Sequence, residues 1–323
     1  MASEWTRPQS WWPLALSEQV TNKKPLPVRC GDEQVVLFRD GTGTVRALED
    51  RCPHRRVPLS LGKITAQGRL QCGYHGWTFD GASGKCVAIP NLHDDEKVPA
   101  RYGAQPYTVI ERDGFVHVWI GSATPALDRI PTLAIDGTAR EHVGAEMLPL
   151  AHDQFVAALF DGPQVVLDMP TVRLTDFLLG DPMLVDGRLV LDRGATWAGP
   201  HLPDRFVVEW GLVFRVSVDP GSGETLAEVR DRDENLVLSA AIAAAPDARG
   251  STSVLWRCRA ATETRGKGGI LTRSLARTGM PPLRVRRFIS GRALSELRVG
   301  PSHMWRSTVR AETGSVSRSS TAA

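Results

Sequence analysis

The sequence predicts an α+β protein in two parts: a β-rich domain over residues 1–122 and a mixed domain over residues 123–311. Three observations predict it. Short β-branched and aromatic runs, bounded by Gly and Asp, fill the first third of the chain. Two loops bearing Cys and His interrupt those runs. The composition then changes near Ser122-Ala123-Thr124-Pro125-Ala126, after which a helical candidate is followed by strand after strand, the pattern of an antiparallel sheet carrying few helices.

In chain order, Gln34–Arg39 and Thr44–Leu48 read as strands joined by the turn Asp40-Gly41-Thr42-Gly43. Tyr107–Glu111 and Phe115–Gly121 flank Arg112-Asp113-Gly114, and Asp-Gly between two alternating runs is a hairpin signal. In the second part, Ala145–Leu159 reads as a helix. Gln164–Leu167, Phe206–Trp210, Val213–Val218 and Ser253–Trp256 read as strands. The end of the chain, 312–323, is mostly Ser, Thr and Ala with no apolar pattern, and is expected to be disordered.

Composition excludes several classes. Hydrophobic residues make up 42% and charged residues 23%, as in an ordinary globular protein. A net charge of +3 is too small for a global nucleic-acid binder, and no nucleic-acid partner is expected. The longest apolar stretch, Val237 to Pro246, is too short to cross a bilayer, so no membrane association is expected. Met1-Ala2-Ser3-Glu4-Trp5 lacks the basic start and apolar core of a secretory signal. The five cysteines, Cys30, Cys52, Cys72, Cys86 and Cys258, form no obvious disulfide framework. A reducing cytoplasm fits that usage.

Chemistry concentrates in Cys52-Pro53-His54-Arg55 and Cys72-Gly73-Tyr74-His75-Gly76-Trp77. One Cys-x-His pair and one Cys-x-x-His pair, separated by 17 residues, offer two thiolates and two imidazoles. A tetrahedral zinc site could use the same donors. Zinc pairs, however, usually place like ligands together, as Cys-x2-4-Cys and His-x3-5-His. Here each loop carries one of each, so both irons of a binuclear cluster can draw one ligand type from both loops. Cysteine on one iron and histidine on the other is the Rieske form of a [2Fe–2S] cluster, and neutral imidazole raises its potential above that of an all-cysteine ferredoxin.

Beyond the four ligands, the chain resembles the oxygenase component of the Rieske non-haem iron oxygenases. The residues that carry the resemblance are Trp11-Trp12-Pro13-Leu14, Val35–Asp40, Ala47–Arg55, Pro58–Gly62, Cys72–Asp80, Ile89-Pro90 and Val98-Pro99. Respiratory Rieske proteins carry a further disulfide-forming cysteine in each loop. The corresponding positions here are Val57 and Tyr74, which favours the oxygenase branch. The resemblance implies a cluster held by Cys52, His54, Cys72 and His75, with Trp77 and Arg55 packed around it and the two histidines on the electron-exit side. It also implies that the second domain is a helix-grip (START-like) fold.

That family holds a second, mononuclear iron with two His and one carboxylate, on a helix resembling Asn-x-x-Asp-x-x-His-x-x-x-x-His. The best match is Glu146 to Ala157, with His152 as the first histidine and Phe155-Val156 fixing the register. The second histidine is then Ala157, which cannot ligate iron. Pro149 falls on the aspartate that bridges to the neighbouring subunit's cluster, and Gly291, three residues after Phe288, falls on the third ligand. Asp153, Asp161, Asp168 and His201 are the other donors that could rebuild a site. The mononuclear Fe(II) is therefore doubtful, and His152 is expected to be a residual site residue.

The resemblance then implies a cluster-bearing subunit that passes electrons to, or stabilises, a catalytic oxygenase paralogue in a trimeric or hexameric assembly, served by a ferredoxin or reductase. The alternative is a self-sufficient monooxygenase that hydroxylates or demethylates a small organic molecule through atypical iron ligands. Between Arg257 and Arg310 there are 13 Lys or Arg residues and two acids, Glu263 and Glu296, with Arg284, Arg286 and Arg287 the densest group. Such a basic stretch is either a solvated face or a docking surface for an acidic partner.

Overall fold

A computed structural model describes residues 9–92, 96–99, 101–127, 130, 132–198, 211–247, 250–261, 272–273 and 275–290. These fall into two compact units, one running to Thr132 and taking in Ala245–Asp247, the other holding the rest. The expected strand Phe206–Trp210, the positions His201 and Gly291, and the tail 312–323 lie outside the described residues.

The first unit contains β1 (Ser10–Leu16), β2 (Leu26–Cys30), β3 (Glu33–Arg39), β4 (Val45–Glu49), β5 (Lys63–Ile64), β6 (Leu70–Gln71), β7 (Thr78–Phe79), β8 (Cys86–Ala88), β9 (Pro106–Tyr107), β10 (Val109–Arg112) and β11 (Phe115–Ile120). They form three sheets, ordered β2-β3-β4-β9, β1-β11-β10 and β5-β6-β7-β8. Both predicted hairpins are present. The β3–β4 turn is built on Asp40, whose Oδ1 accepts from the Thr42 amide (2.9 Å), the Thr42 hydroxyl (2.6 Å) and the Thr44 amide (3.1 Å). The β10–β11 turn places Asp113 and Gly114 at φ 52° and 78°, the left-handed values a tight hairpin turn needs. Every residue of β11 is buried. Each large apolar side chain in such a strand contributes about 1.5–3 kcal/mol.

The second unit contains β12 (His142–Leu148), α1 (His152–Asp161), α2 (Pro163–Val166), β13 (Leu167–Asp168), β14 (Val172–Leu178), β15 (Met183–Val185), β16 (Arg188–Trp197), β17 (Gly211–Val218), β18 (Thr225–Asp231), β19 (Leu236–Pro246), β20 (Thr252–Ala260) and β21 (Arg284–Val285). Eight strands make one sheet, β12-β20-β19-β18-β17-β16-β14, with β15 beside β16. Strands β16 and β17 alternate between buried and half-buried residues, so one face packs on the core. The apolar stretch from Val237 is the inner strand β19, buried continuously from Val237 to Ala245.

The protein is thus mostly β, with few helices, and two sequence expectations are corrected. The helix expected over Ala145–Leu159 is a strand followed by a shorter helix. Residues 142–148 pair in register with β20, from His142 against Cys258 to Leu148 against Thr252. Pro149 sits in the bend that separates the two elements, where its fixed φ and missing N–H interrupt no ladder. The strand expected over Gln164–Leu167 is helical to Val166, because Pro163 occupies the first helical turn, where its lost donor is no penalty. Val165 and Val166 fit a strand equally well by propensity, and tertiary packing overrides it.

Candidate metal centre

The four ligand residues come together at the tip of the β5–β8 sheet. The loop before β5 carries Cys52 and His54, and the loop joining β6 to β7 carries Cys72 and His75. The two loops share one backbone design. The Cys52 amide donates to the Val57 carbonyl (2.9 Å) and the Arg56 amide to the Cys52 carbonyl (2.8 Å). In the other loop the Cys72 amide donates to the Trp77 carbonyl (2.8 Å) and the Gly76 amide to the Cys72 carbonyl (3.1 Å). Each is a six-residue turn that closes on its own cysteine.

Further contacts fix the loops side by side. Asp50 is buried at the entrance to the first loop and accepts from the Ser60 amide (2.7 Å) and hydroxyl (2.6 Å). Gly62 passes so close to Gln71 that a Cβ there would lie 2.0 Å from its carbonyl oxygen. The Gln71 amide nitrogen in turn donates to the Gly76 carbonyl (3.2 Å) and the Thr78 hydroxyl (3.0 Å), bracing the second loop.

The donors sort by type. The thiols of Cys52 and Cys72 interact with one another and are buried. The two Nδ1 atoms of His54 and His75 face each other at 3.1 Å, and both rings are exposed. A metal bonded to two imidazole nitrogens at about 2.1 Å each holds them roughly 3 Å apart, so this pair matches two ligands on one ion. Among the described residues no group of three or more His, Cys, Asp and Glu forms a single-ion site. A cysteine pair and a histidine pair are what a binuclear cluster requires.

Charge agrees with that fit. Burial pushes the Cys52 thiol up to about 11, only partly opposed by the backbone amides of His54 and Arg55, so ionising it calls for a cation at hand. Desolvation, and then the neighbouring His75 and Arg55, lower the pKa of His54, favouring the neutral imidazole that ligates. Trp77 stacks flat on the His54 ring, with centroids 4.7 Å apart and planes 2° apart. Sequence reasoning placed Trp77 and Arg55 together as packing around the centre. Trp77 does pack there, whereas Arg55 is exposed.

The residues expected from a mononuclear site are differently placed. His152 opens α1 rather than lying within a helix, and Glu146, Met147 and Leu148 of the matched motif are in strand β12. Its Nε2 is fully buried, and the ring faces backbone groups of Ser222 and Ala244. A Cβ on Gly223 would lie 3.2 Å from the His152 ring. Ala157 is buried in the core. Asp168 is bound to Arg284 (2.7 Å) with Arg286 nearby (3.7 Å), so it serves an ion pair. Asp153 is exposed, and Phe288 is 89% exposed.

Comparisons with known proteins find a Rieske domain in the part of the chain that carries these loops. The Rieske [2Fe-2S] domain family matches residues 10–109. Protein TIC 55 of Arabidopsis thaliana is 45% identical over 122 residues, 38% of this chain and 22% of that protein. The oxygenase component of dicamba O-demethylase from Stenotrophomonas maltophilia is 42% identical over 118 residues, 36% of this chain and 33% of that protein. The chain thus spans less than two thirds of either relative. In structure, dicamba monooxygenase bound to dicamba matches 98% of this chain and 91% of its own, with a TM-score of 0.65 at 20% identity. A caffeine complex of the QL mutant of Pseudomonas putida CBB5 NdmA matches 94% and 89%, with a TM-score of 0.60 at 20% identity. The chain contains a Rieske [2Fe–2S] domain at residues 10–109, where its sequence is similar to that of a Rieske oxygenase component, and its fold is similar to that of dicamba monooxygenase.

Proposed function

We propose that this protein is an electron-carrying subunit of a Rieske oxygenase system, keeping its cluster while lacking a catalytic iron of its own. The bound [2Fe–2S] cluster would supply one-electron chemistry. Cys52 and Cys72 hold its buried side. His54 and His75 hold the exposed side, within reach of a partner. We read the second unit as a helix-grip domain and place the domain boundary near residue 122. Its partners are then a catalytic oxygenase paralogue, in a trimeric or hexameric assembly, and a ferredoxin or reductase.

The observation that carries this reading is Ala157, a buried alanine at the position where the matching helix needs its second imidazole. Among the described residues of the matched motif His152 is the ligand type that is left, and it is turned to backbone groups of its own unit. One side chain cannot make the two-histidine, one-carboxylate triad that leaves positions open for oxygen.

A second reading rests on the full-length fold match to dicamba monooxygenase: a self-sufficient monooxygenase acting on a small organic molecule, with iron held by other residues. Iron and acid-labile sulfide per chain, with EPR of the reduced protein, separate the two. Two irons, two sulfides and a Rieske signal are expected. A third iron that responds to nitric oxide would overturn the proposal in favour of the second reading.

A further inference from the structure

Trp77 does more than cover His54. Its other neighbour is Tyr102, with ring centroids 4.9 Å apart. Tyr102 is capped by the Arg101 guanidinium, 5.0 Å from its ring centre, and Arg101 Nη2 also donates to the Tyr102 hydroxyl (3.2 Å). A continuous aromatic column therefore runs from a cluster ligand, through buried Trp77, to half-buried Tyr102 and exposed Arg101.

The outer end of the column is rigid. The Tyr102 amide donates to the Pro99 carbonyl (3.0 Å), and the Tyr102 carbonyl accepts from the Cys86 amide (2.9 Å). The bridge between Lys85 and Gly103 sets a second exposed cation beside the tyrosine. Lys97 is exposed in the preceding segment, with Glu96 the exposed acid next to it. Asp80, in the turn that leads to Lys85, has its carboxylate engaged by the Ser83 amide (2.8 Å) and hydroxyl (2.6 Å). Among the described residues around Tyr102, Arg101, Lys85 and Lys97 are exposed cations and Glu96 is the exposed acid.

We propose that the Trp77–Tyr102 column, with Arg101 and Lys85 at its mouth, is the port through which a reduced, acidic one-electron carrier protein feeds the cluster. One electron leaves the carrier and reaches the oxidised cluster. No bond forms or breaks, no proton moves, and neither ring is itself oxidised; the two rings in contact shorten the gap to be tunnelled. The cations steer an acidic surface onto the column, as opposite charges do for encounter rates. This rests on the cluster acting as a single-electron relay and is independent of what accepts the electron afterwards.

Stopped-flow reduction of the holoprotein by a reduced plant-type [2Fe–2S] ferredoxin tests the port, with dithionite as a small reductant that needs no docking. Arg101→Glu reverses an exposed charge and removes its cap on Tyr102. It is expected to slow the ferredoxin reaction about tenfold and flatten its salt dependence, while leaving the dithionite rate and the EPR signal unchanged. Tyr102→Leu is expected to slow transfer at saturating ferredoxin, with Tyr102→Phe retaining the rate. Titration of oxidised ferredoxin by calorimetry reads the same surface without any electron transfer, and Arg101→Glu is expected to weaken that binding. An Arg101→Glu, Lys85→Glu double variant with unchanged rate and salt dependence would overturn the port. So would a loss that is equal with dithionite, since the damage then lies in the cluster. Either failure leaves the iron count, and the reading it decides, untouched.

Discussion

Arg56 and Gly76 occupy the same place in the two cluster loops. Each donates its amide to the carbonyl of the cysteine four residues before it, and each is left-handed, at φ 57° and 70°. Only one of them has the residue that this conformation favours. A non-glycine residue there carries about 1–2 kcal/mol of strain, so the first loop is the more strained of the pair.

Unequal responses to substitution follow from that. Gly76→Ala adds the strain and sets a Cβ 2.9 Å from Pro90 Cγ. It is expected to destabilise the holoprotein by about 2 kcal/mol and to speed loss of the cluster. Arg56→Gly relieves strain but loosens the unfolded chain, so its net effect is expected within about 0.5 kcal/mol of zero. Thermal unfolding of the two variants under anaerobic conditions checks the contrast. Equal losses would show that the loops are not built alike.

Asp50 is the second point at which the first loop can be released. Its two carboxylate oxygens take the Ser60 amide and hydroxyl inside the core. Asp50→Ala leaves the buried Ser60 donors unpaired and is expected to cost about 2–3 kcal/mol. The more direct measurement is bleaching of the cluster absorbance by an iron chelator, which should accelerate. Asp50→Asn, which keeps an acceptor, should bleach at an intermediate rate.

What the sequence made legible was local. The four candidate ligands, the Asp40 and Asp113 turns and the two hairpins, Gln34–Leu48 and Tyr107–Gly121, are set by residues near one another in the chain. The relationships that were not legible join distant residues. His54 and His75 are 21 positions apart, and nothing in either loop alone shows that their Nδ1 atoms face each other. The stack of Trp77 on a histidine of the other loop is equally non-local. In the second unit, Ala145–Leu148 reads as helix because Ala, Glu, Met and Leu all favour it. Pairing with β20, more than a hundred residues later, makes it strand. His152 is singled out by a local motif, but its closeness to Gly223 required the β17–β18 turn to be folded.

Asp40 gives the pH dependence. Burial would raise its pKa, but hydrogen bonds from Thr42 and the Arg46 guanidinium (2.6 Å) outweigh that and lower it to about 2. A carboxylate with a depressed folded-state pKa stabilises the fold fully above its unfolded value, near 3.9, and that contribution is lost as the pH falls toward 2. Asp40 is half-buried beside a part-exposed Arg46, so solvent screening keeps the effect small. Urea midpoints of the wild type and Asp40→Asn should therefore draw together on acidification from about pH 5 to about pH 2. Curves that stay parallel would show that Asp40 keeps its ordinary pKa.

His152 and Gly223 test whether the second unit has turned an old ligand position into a packing contact. Gly223 has φ 77°, and a Cβ there would lie 2.4 Å from Val156 Cγ2 as well as against the His152 ring. Gly223→Ala thus combines backbone strain with overpacking under α1 and is expected to destabilise the protein by about 3 kcal/mol. His152→Ala removes the ring from the same contact and is expected to cost about 1–3 kcal/mol. Neither should change iron content, because no iron is expected to depend on His152. Destabilisation with iron held at two per chain is the expected result. Loss of one iron from three on His152→Ala would instead identify His152 as a working ligand, and the chain as an oxygenase with its own catalytic centre.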